Sequence, residues 1–190
     1  FISLWCLGAQ RKGMVIIMDV FLKDPVLLAK EKNISIELIS GEEKEKVFDR
    51  IKSIYFNPNV LNKNISWGDR LLNSLVAFPS CSLNSYRYDT KKWLLEYIPQ
   101  YCEKTLLLVS NSLSNIGSLY RFESGNIFSK VFYKTTLCTQ RELFLTNNNL
   151  TYLICYTELD HLLAYGEVVN WIYNKAQQLG EDIAPILWNP

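Results

Sequence analysis

The stretch that decides the fold is Glu142-Leu-Phe-Leu-Thr-Asn-Asn-Asn-Leu-Thr-Tyr-Leu-Ile-Cys-Tyr156. Two apolar runs, 142–146 and 151–156, flank three consecutive Asn residues. Asn tolerates left-handed backbone and so favours turns. Two extended runs joined by so short a link pair antiparallel. His161-Leu-Leu-Ala-Tyr165 follows as another strand. Upstream, Leu106-Leu-Leu-Val109 reads as a central strand and Ser118-Leu-Tyr-Arg-Phe122 as its hairpin partner.

Helices frame these strands. Val47, Phe48, Ile51, Ile54 and Tyr55 recur at helical spacing, which predicts a helix over 41–56. Ser40 with Glu43 predicts a capping box at its start, and Asn57-Pro58 predicts its stop. Asp24-Pro25 predicts a short helix over 25–32, and residues 34–39 a strand or an extended link. Residues 57–64 read as a loop, 67–76 as a helix, 78–86 as a connection and 127–133 as a helix. Tyr88-Asp-Thr opens a helix over 91–98 that Pro99 ends. Glu167 to Leu179 closes the pattern as a helix stopped by Gly180. The expectation is therefore α+β: N-terminal helices, a mainly antiparallel sheet of about five strands, and a C-terminal helix. Residues 1–17 read as an N-terminal extension or cloning remnant, with a native start near Met14 or Met18. Residues 18–190 read as one globular domain.

Composition narrows the function classes. The 190 residues are 48% hydrophobic and 21% charged, which excludes disorder and low complexity. Twenty basic and nineteen acidic residues leave a net charge of +1, which is not that of a strongly basic nucleic-acid binder. The five cysteines, at 6, 81, 102, 138 and 155, are odd in number and lack Cys-x-x-Cys spacing. They read as reduced thiols of a cytoplasmic protein. His161 is the lone histidine, too few ligands for a zinc site. Neither N-terminal apolar run is long enough to cross a membrane. No glycine-rich phosphate loop or nucleophile elbow is present, so neither cofactor nor metal is expected.

Three groups of residues carry chemical possibilities. Cys155, Glu158, Asp160 and His161 lie within seven residues, and a thiol enzyme needs a Cys and a His. The plainer reading is a buried Cys beside a polar turn. Tyr86-Arg-Tyr-Asp-Thr-Lys-Lys-Trp93 mixes basic and aromatic residues, as an RNA-stacking surface does. Its plainer reading is a solvated helix start with one buried Trp. From Tyr156 onward, Glu158, Asp160, Glu167, Glu181 and Asp182 stand against Lys175 alone. Such local acidity steers a basic partner.

The order of features in the second half carries a resemblance. Lys91-Lys-Trp-Leu-Leu-Glu-Tyr-Ile-Pro99 precedes Thr105-Leu-Leu-Leu-Val109, Leu119-Tyr-Arg-Phe122 and Glu142-Leu-Phe-Leu145. Tyr152-Leu-Ile-Cys-Tyr-Thr157 and Leu162-Leu-Ala-Tyr-Gly166 complete it. Over about residues 85–172 this resembles small bacterial proteins that look like immunity proteins, including those of contact-dependent growth inhibition systems. Where that family often shows Glu-Asn-His-His, this chain has Glu158-Leu-Asp-His161. The resemblance implies a non-enzymatic protein that binds and neutralises a cognate toxin, expected to be a nuclease, without direct nucleic-acid contact. Glu158, Asp160 and Glu167 are the expected toxin-binding residues. The alternative from another class is an RNA-binding or RNA-processing accessory domain using 86–93.

Overall fold

The computed structural model describes residues 29–31, 33–56, 79–102, 105–111, 115–122, 142–157 and 159–183. The architecture is α+β. In chain order the elements are β1 (Ile36–Ile39), α1 (Gly41–Tyr55), β2 (Ser80–Leu83) and a helical segment α2. There follow β3 (Thr105–Asn111), β4 (Asn115–Phe122), β5 (Glu142–Asn147), β6 (Tyr152–Tyr156), β7 (Leu162–Gly166) and α3 (Val168–Leu179). Segment α2 joins the α-helical turns Thr90–Lys92 and Ile98–Tyr101 through a π-helical stretch, Trp93–Tyr97. The seven strands form one sheet in the order β1-β4-β3-β5-β6-β7-β2. Every pairing is antiparallel.

The central strands are covered on both faces. Side chains alternate across a strand, so neighbours enter different layers. Tyr152, Ile154 and Tyr156 of β6 join Trp93, Leu94 and Ile98 of α2 and Val169, Ile172 and Ala176 of α3. Leu153 and Cys155 point the other way and join Phe48, Ile51 and Tyr55 of α1. The sheet is thus the middle of three layers. Each large apolar side chain removed from water contributes about 1.5–3 kcal/mol.

Local chemistry fixes the connections. Tyr55 Oη donates to Leu150 O across 2.7 Å, tying the end of α1 to the β5–β6 turn. Leu150 itself is left-handed, at φ 55°, after the Asn-rich turn. Gly166 ends β7 at φ +80°, and a Cβ there would sit 2.4 Å from the Thr151 carbonyl oxygen, so only glycine fits. Gly180 closes α3 in the left-handed region, at φ +70°.

Several expectations need correction. The sequence predicts about five strands, and seven are present among the described residues. Of the two readings of residues 34–39 the strand is realised, as Ile36–Ile39 is an edge strand, β1, on β4. The expected connection over 78–86 contains β2, paired with β7. The Ser40–Glu43 capping box does not form: Ser40 makes no side-chain cap. Glu43 instead receives Arg121 Nη2 at 2.7 Å, while Arg121 Nη1 reaches Glu37 at 2.6 Å. Pro99 does not end its helix. Its missing N–H cannot bond four residues back, and its ring would crowd that carbonyl. The π-turn, closed by the Ile98 amide on Trp93 O, widens the helix there and lets it run on to Tyr101. The predicted hairpin of β3 and β4 forms, but β4 and β5 do not pair, because β3 lies between them. Residues 29–31 are helical, within the expected 25–32. The remainder of that helix, the extension over 1–17, the loop over 57–64 and the helices over 67–76 and 127–133 lie outside the described residues.

Two predictions follow from this core. Phe48→Ala, at a side chain 1% exposed, should cost about 3–5 kcal/mol in urea denaturation. The second concerns alkaline pH. Burial pushes the Cys81 thiol up to about 12, and burial followed by the nearby Cys81 pushes Tyr173 to about 12. Burial also raises Tyr55 and Tyr165. The unfolded chain gives up these protons at ordinary values, from about pH 9 for Cys and about pH 10 for Tyr, while the folded chain still holds them. The folded state then binds more protons, so stability should fall as pH rises from about 9 towards 12. Thermal midpoints across that range check this, and a flat profile would contradict it.

Candidate functional site

The β2–β7 pairing builds the candidate surface. Leu83, the last residue of β2, is registered against Leu162, the first of β7. The turn leaving β2 and the turn entering β7 therefore emerge at the same end of the sheet. The first, 84–88, is closed by Asn84. Its side-chain Oδ1 accepts the Arg87 amide at 3.1 Å, and its carbonyl accepts the Tyr88 amide at 3.1 Å. The second, 157–161, is closed by the Thr157 amide on His161 O at 2.9 Å and the Asp160 amide on Thr157 O at 3.1 Å. Both turns are anchored by their own backbone, and each exposes one large side chain. Tyr86 is 93% exposed and Leu159 67% exposed.

Asp160 ties its turn to β6 and to the start of α2. Tyr156 Oη donates to Asp160 Oδ1 at 2.7 Å. Lys91 Nζ, in the first turn of α2, stands 3.8 Å from Asp160 Oδ2. Both charged side chains remain about half exposed, so the ion pair is weak. Burial, and then the hydrogen bond to Asp160, raise the Tyr156 phenol above its usual range. Asp160 itself is left-handed, at φ 58°, a conformation that Asp and Asn adopt more readily than other side-chain-bearing residues.

The three expected acids are not one patch. Glu167 lies at the far end of β7, where its amide donates to Thr151 O at 3.2 Å. The five residues of β7 separate it from Asp160, about 17 Å of extended chain. Glu158 lies outside the described residues. Other acids gather around α2: Asp89 caps its start, and its charge also raises the Tyr156 phenol that bonds Asp160, while Glu181 and Asp182 follow α3. Glu181 Oε2 accepts the Trp93 indole N–H at 2.9 Å, and Asp182 O accepts the Tyr88 hydroxyl at 2.7 Å. Ile183 seals this segment against the core. Sequence reading singled out Lys91 within 86–93 and Glu181 and Asp182 among the C-terminal acids, but it did not bring the two groups to one surface and did not single out Leu159. The available signal was the mixed segment 86–93, whose partners are distant in sequence.

The other sequence candidates find plainer places. Cys155 is fully buried among Phe144, Leu153 and Leu163, and His161 sits in the turn, its amide on Thr157 Oγ1 at 3.2 Å. Trp93 is 0% exposed, which takes it out of any stacking surface. Arg87 lies over the Tyr88 ring at 5.8 Å. Cys81 and Cys102 are buried thiols, and Cys6 and Cys138 lie outside the described residues. Among the described residues, no three of His, Cys, Asp and Glu gather as metal ligands would, and no helix is long and apolar enough to cross a membrane. No protein-family model, curated protein or solved structure matches this chain.

The left-handed Asp160 sets a stability test. Asp160→Ala should cost about 1–2 kcal/mol, because it adds a backbone penalty to a lost hydrogen bond. Asp160→Asn should be nearly neutral, since Asn tolerates the same backbone and still accepts from Tyr156. Chemical denaturation of both variants checks this, and equal losses would assign the whole effect to charge.

Proposed function

We propose that this chain is an immunity protein that binds and neutralises a cognate bacterial toxin, a nuclease of a contact-dependent growth inhibition system, in the cytoplasm. The observation that carries the reading is the end of the sheet where two closed turns present Tyr86 and Leu159 beside Asp160. Tyrosine and other large side chains at the centre of an interface supply most of its binding energy, and surrounding charges set orientation and association rate. A turn already closed by its own hydrogen bonds loses little further freedom on binding. The immunity reading comes from the resemblance over about 85–172, and the toxin class from the local acidity. A nuclease carries a basic substrate-binding surface, the natural complement of Asp160, Glu181 and Asp182. Neutralisation by such a protein is occupancy of the toxin, and it needs no bond-making step.

The RNA reading has less to work with. Within 86–93, Trp93 is enclosed and Tyr88 spends its hydroxyl on Asp182, which leaves Tyr86 as the exposed ring.

The decisive test is protection. Cells expressing the product of the reading frame immediately upstream should stop growing, and co-expression of this chain should restore growth. Purified chain should abolish the nuclease activity of that product at a one-to-one ratio. Growth arrest that persists despite soluble, folded chain would overturn the proposal.

A further inference from the structure

We infer that the docking face is the paired-turn end of the sheet, that Tyr86 and Leu159 are its apolar anchors, and that Lys91 restrains it by competing with a cationic partner for Asp160. The inference rests on the toxin-binding reading and specifies the partner as a protein surface that offers Lys or Arg beside an apolar socket.

Tyr86 and Leu159 are the most exposed of the large apolar side chains among the described residues. They lie on different turns, yet the Leu83–Leu162 register brings those turns to one edge of the molecule. Two such side chains on neighbouring hydrogen-bonded turns can enter a socket together. The charges around them choose the partner's sign. Asp89, Asp160, Glu181 and Asp182 stand on these turns and around the start of α2, against Arg87, Lys91 and Lys92. Arg87 is partly occupied by the Tyr88 ring. Lys91 is held to Asp160 across 3.8 Å, beyond hydrogen-bonding distance, so the carboxylate is shielded without being consumed. Asp160 stays oriented by Tyr156 whether or not Lys91 is present. A partner guanidinium or ammonium that approaches Asp160 meets the repulsion of Lys91 there. Removing Lys91 should therefore strengthen a basic partner and weaken an acidic one. That sign distinguishes this face from an ordinary rim of mixed charge.

The test uses the full chain and the purified product of the upstream reading frame, followed by surface plasmon resonance at two salt concentrations. Tyr86→Ala should weaken the complex by about 30-fold, the scale of an interface hot spot. Lys91→Met, which keeps the apolar stem, should raise the association rate by about two- to fivefold at low salt, and the gain should shrink at high salt. Leu159→Ala serves as a second anchor variant, on an exposed turn where truncation leaves folding intact. If wild-type chain binds but Tyr86→Ala and Leu159→Ala both stay within twofold, this face is overturned and the toxin-binding reading stands. A slower association for Lys91→Met overturns the assigned sign. No complex with wild-type chain defeats the toxin-binding reading, and this face falls with it. Retention of a single-stranded RNA oligonucleotide, lost in both Tyr86→Ala and Lys91→Met, overturns the inference in favour of nucleic acid.

Discussion

The strands β5, β6 and β7 have water on neither face, and the remaining architecture answers that constraint. Most residues of these strands are buried, including Leu153, Ile154, Leu163 and Ala164 at 0% exposure. Their backbone groups are met by neighbouring strands on both sides. Their side chains alternate between two layers, so neither layer can be omitted. Helix α1 covers Leu153, Cys155 and Leu163, and α2 with α3 covers Ile154, Tyr156 and Ala164. The connections obey the same demand. Gly166 lets β7 turn into α3 while its backbone lies against Thr151, where a side chain would collide.

What was legible in the sequence was local. The β5–β6 hairpin announces itself by two apolar runs around three Asn residues, and the helix at 41–55 by the spacing of Phe48, Ile51 and Tyr55. Both signals are complete within some fifteen residues. Strand β2 was hidden because Ser80-Cys-Ser-Leu83 sends only Cys81 and Leu83 into the core. As an edge strand it needs one apolar face, and its serines read as a connection. The place of β3 between β4 and β5 was hidden for another reason. A continuous apolar run states that a strand is buried, and any apolar neighbour satisfies it equally. Glu43 looked like a cap because local spacing allows it, yet Arg121, 78 residues away, takes its carboxylate. A charged hydrogen bond across elements outcompetes an exposed local one, and the sequence carries no mark of that.

The candidate site shows the same division. Tyr86, Arg87 and Lys91 stood out together because they are adjacent in the chain, and so did Glu158 and Asp160. That Tyr86 and Arg87 share one end of the sheet with Asp160 depends on the β2–β7 register. Adjacency misled for Glu167, which a strand carries away from Asp160. The return is made by α3. Its twelve residues rise about 18 Å, close to the roughly 17 Å that the five residues of β7 travel in the opposite direction. Residues just past α3 thus come back to the end where β7 began. Glu181 and Asp182 reach Trp93 and Tyr88 by this route, so they meet α2 and the turn before it by matched lengths rather than by sequence proximity.

Asp160 itself joins folding to the proposed binding role. A carboxylate on a mobile turn would have to be ordered during association, at a cost in side-chain and backbone entropy. Here the left-handed backbone, the turn hydrogen bonds and the Tyr156 hydroxyl fix Oδ1 in advance. The second oxygen is left to a cation at a distance where attraction is real but shallow. The arrangement separates two tasks within one side chain. Oδ1 belongs to the fold, because Tyr156 is a core residue and its hydroxyl needs an acceptor at the surface of that core. Oδ2 belongs to the surface, where Lys91 can give way to another cation without disturbing the sheet beneath. A position that carries structural order on one atom and exchangeable charge on the other is well suited to recognising a partner quickly while leaving the scaffold unchanged.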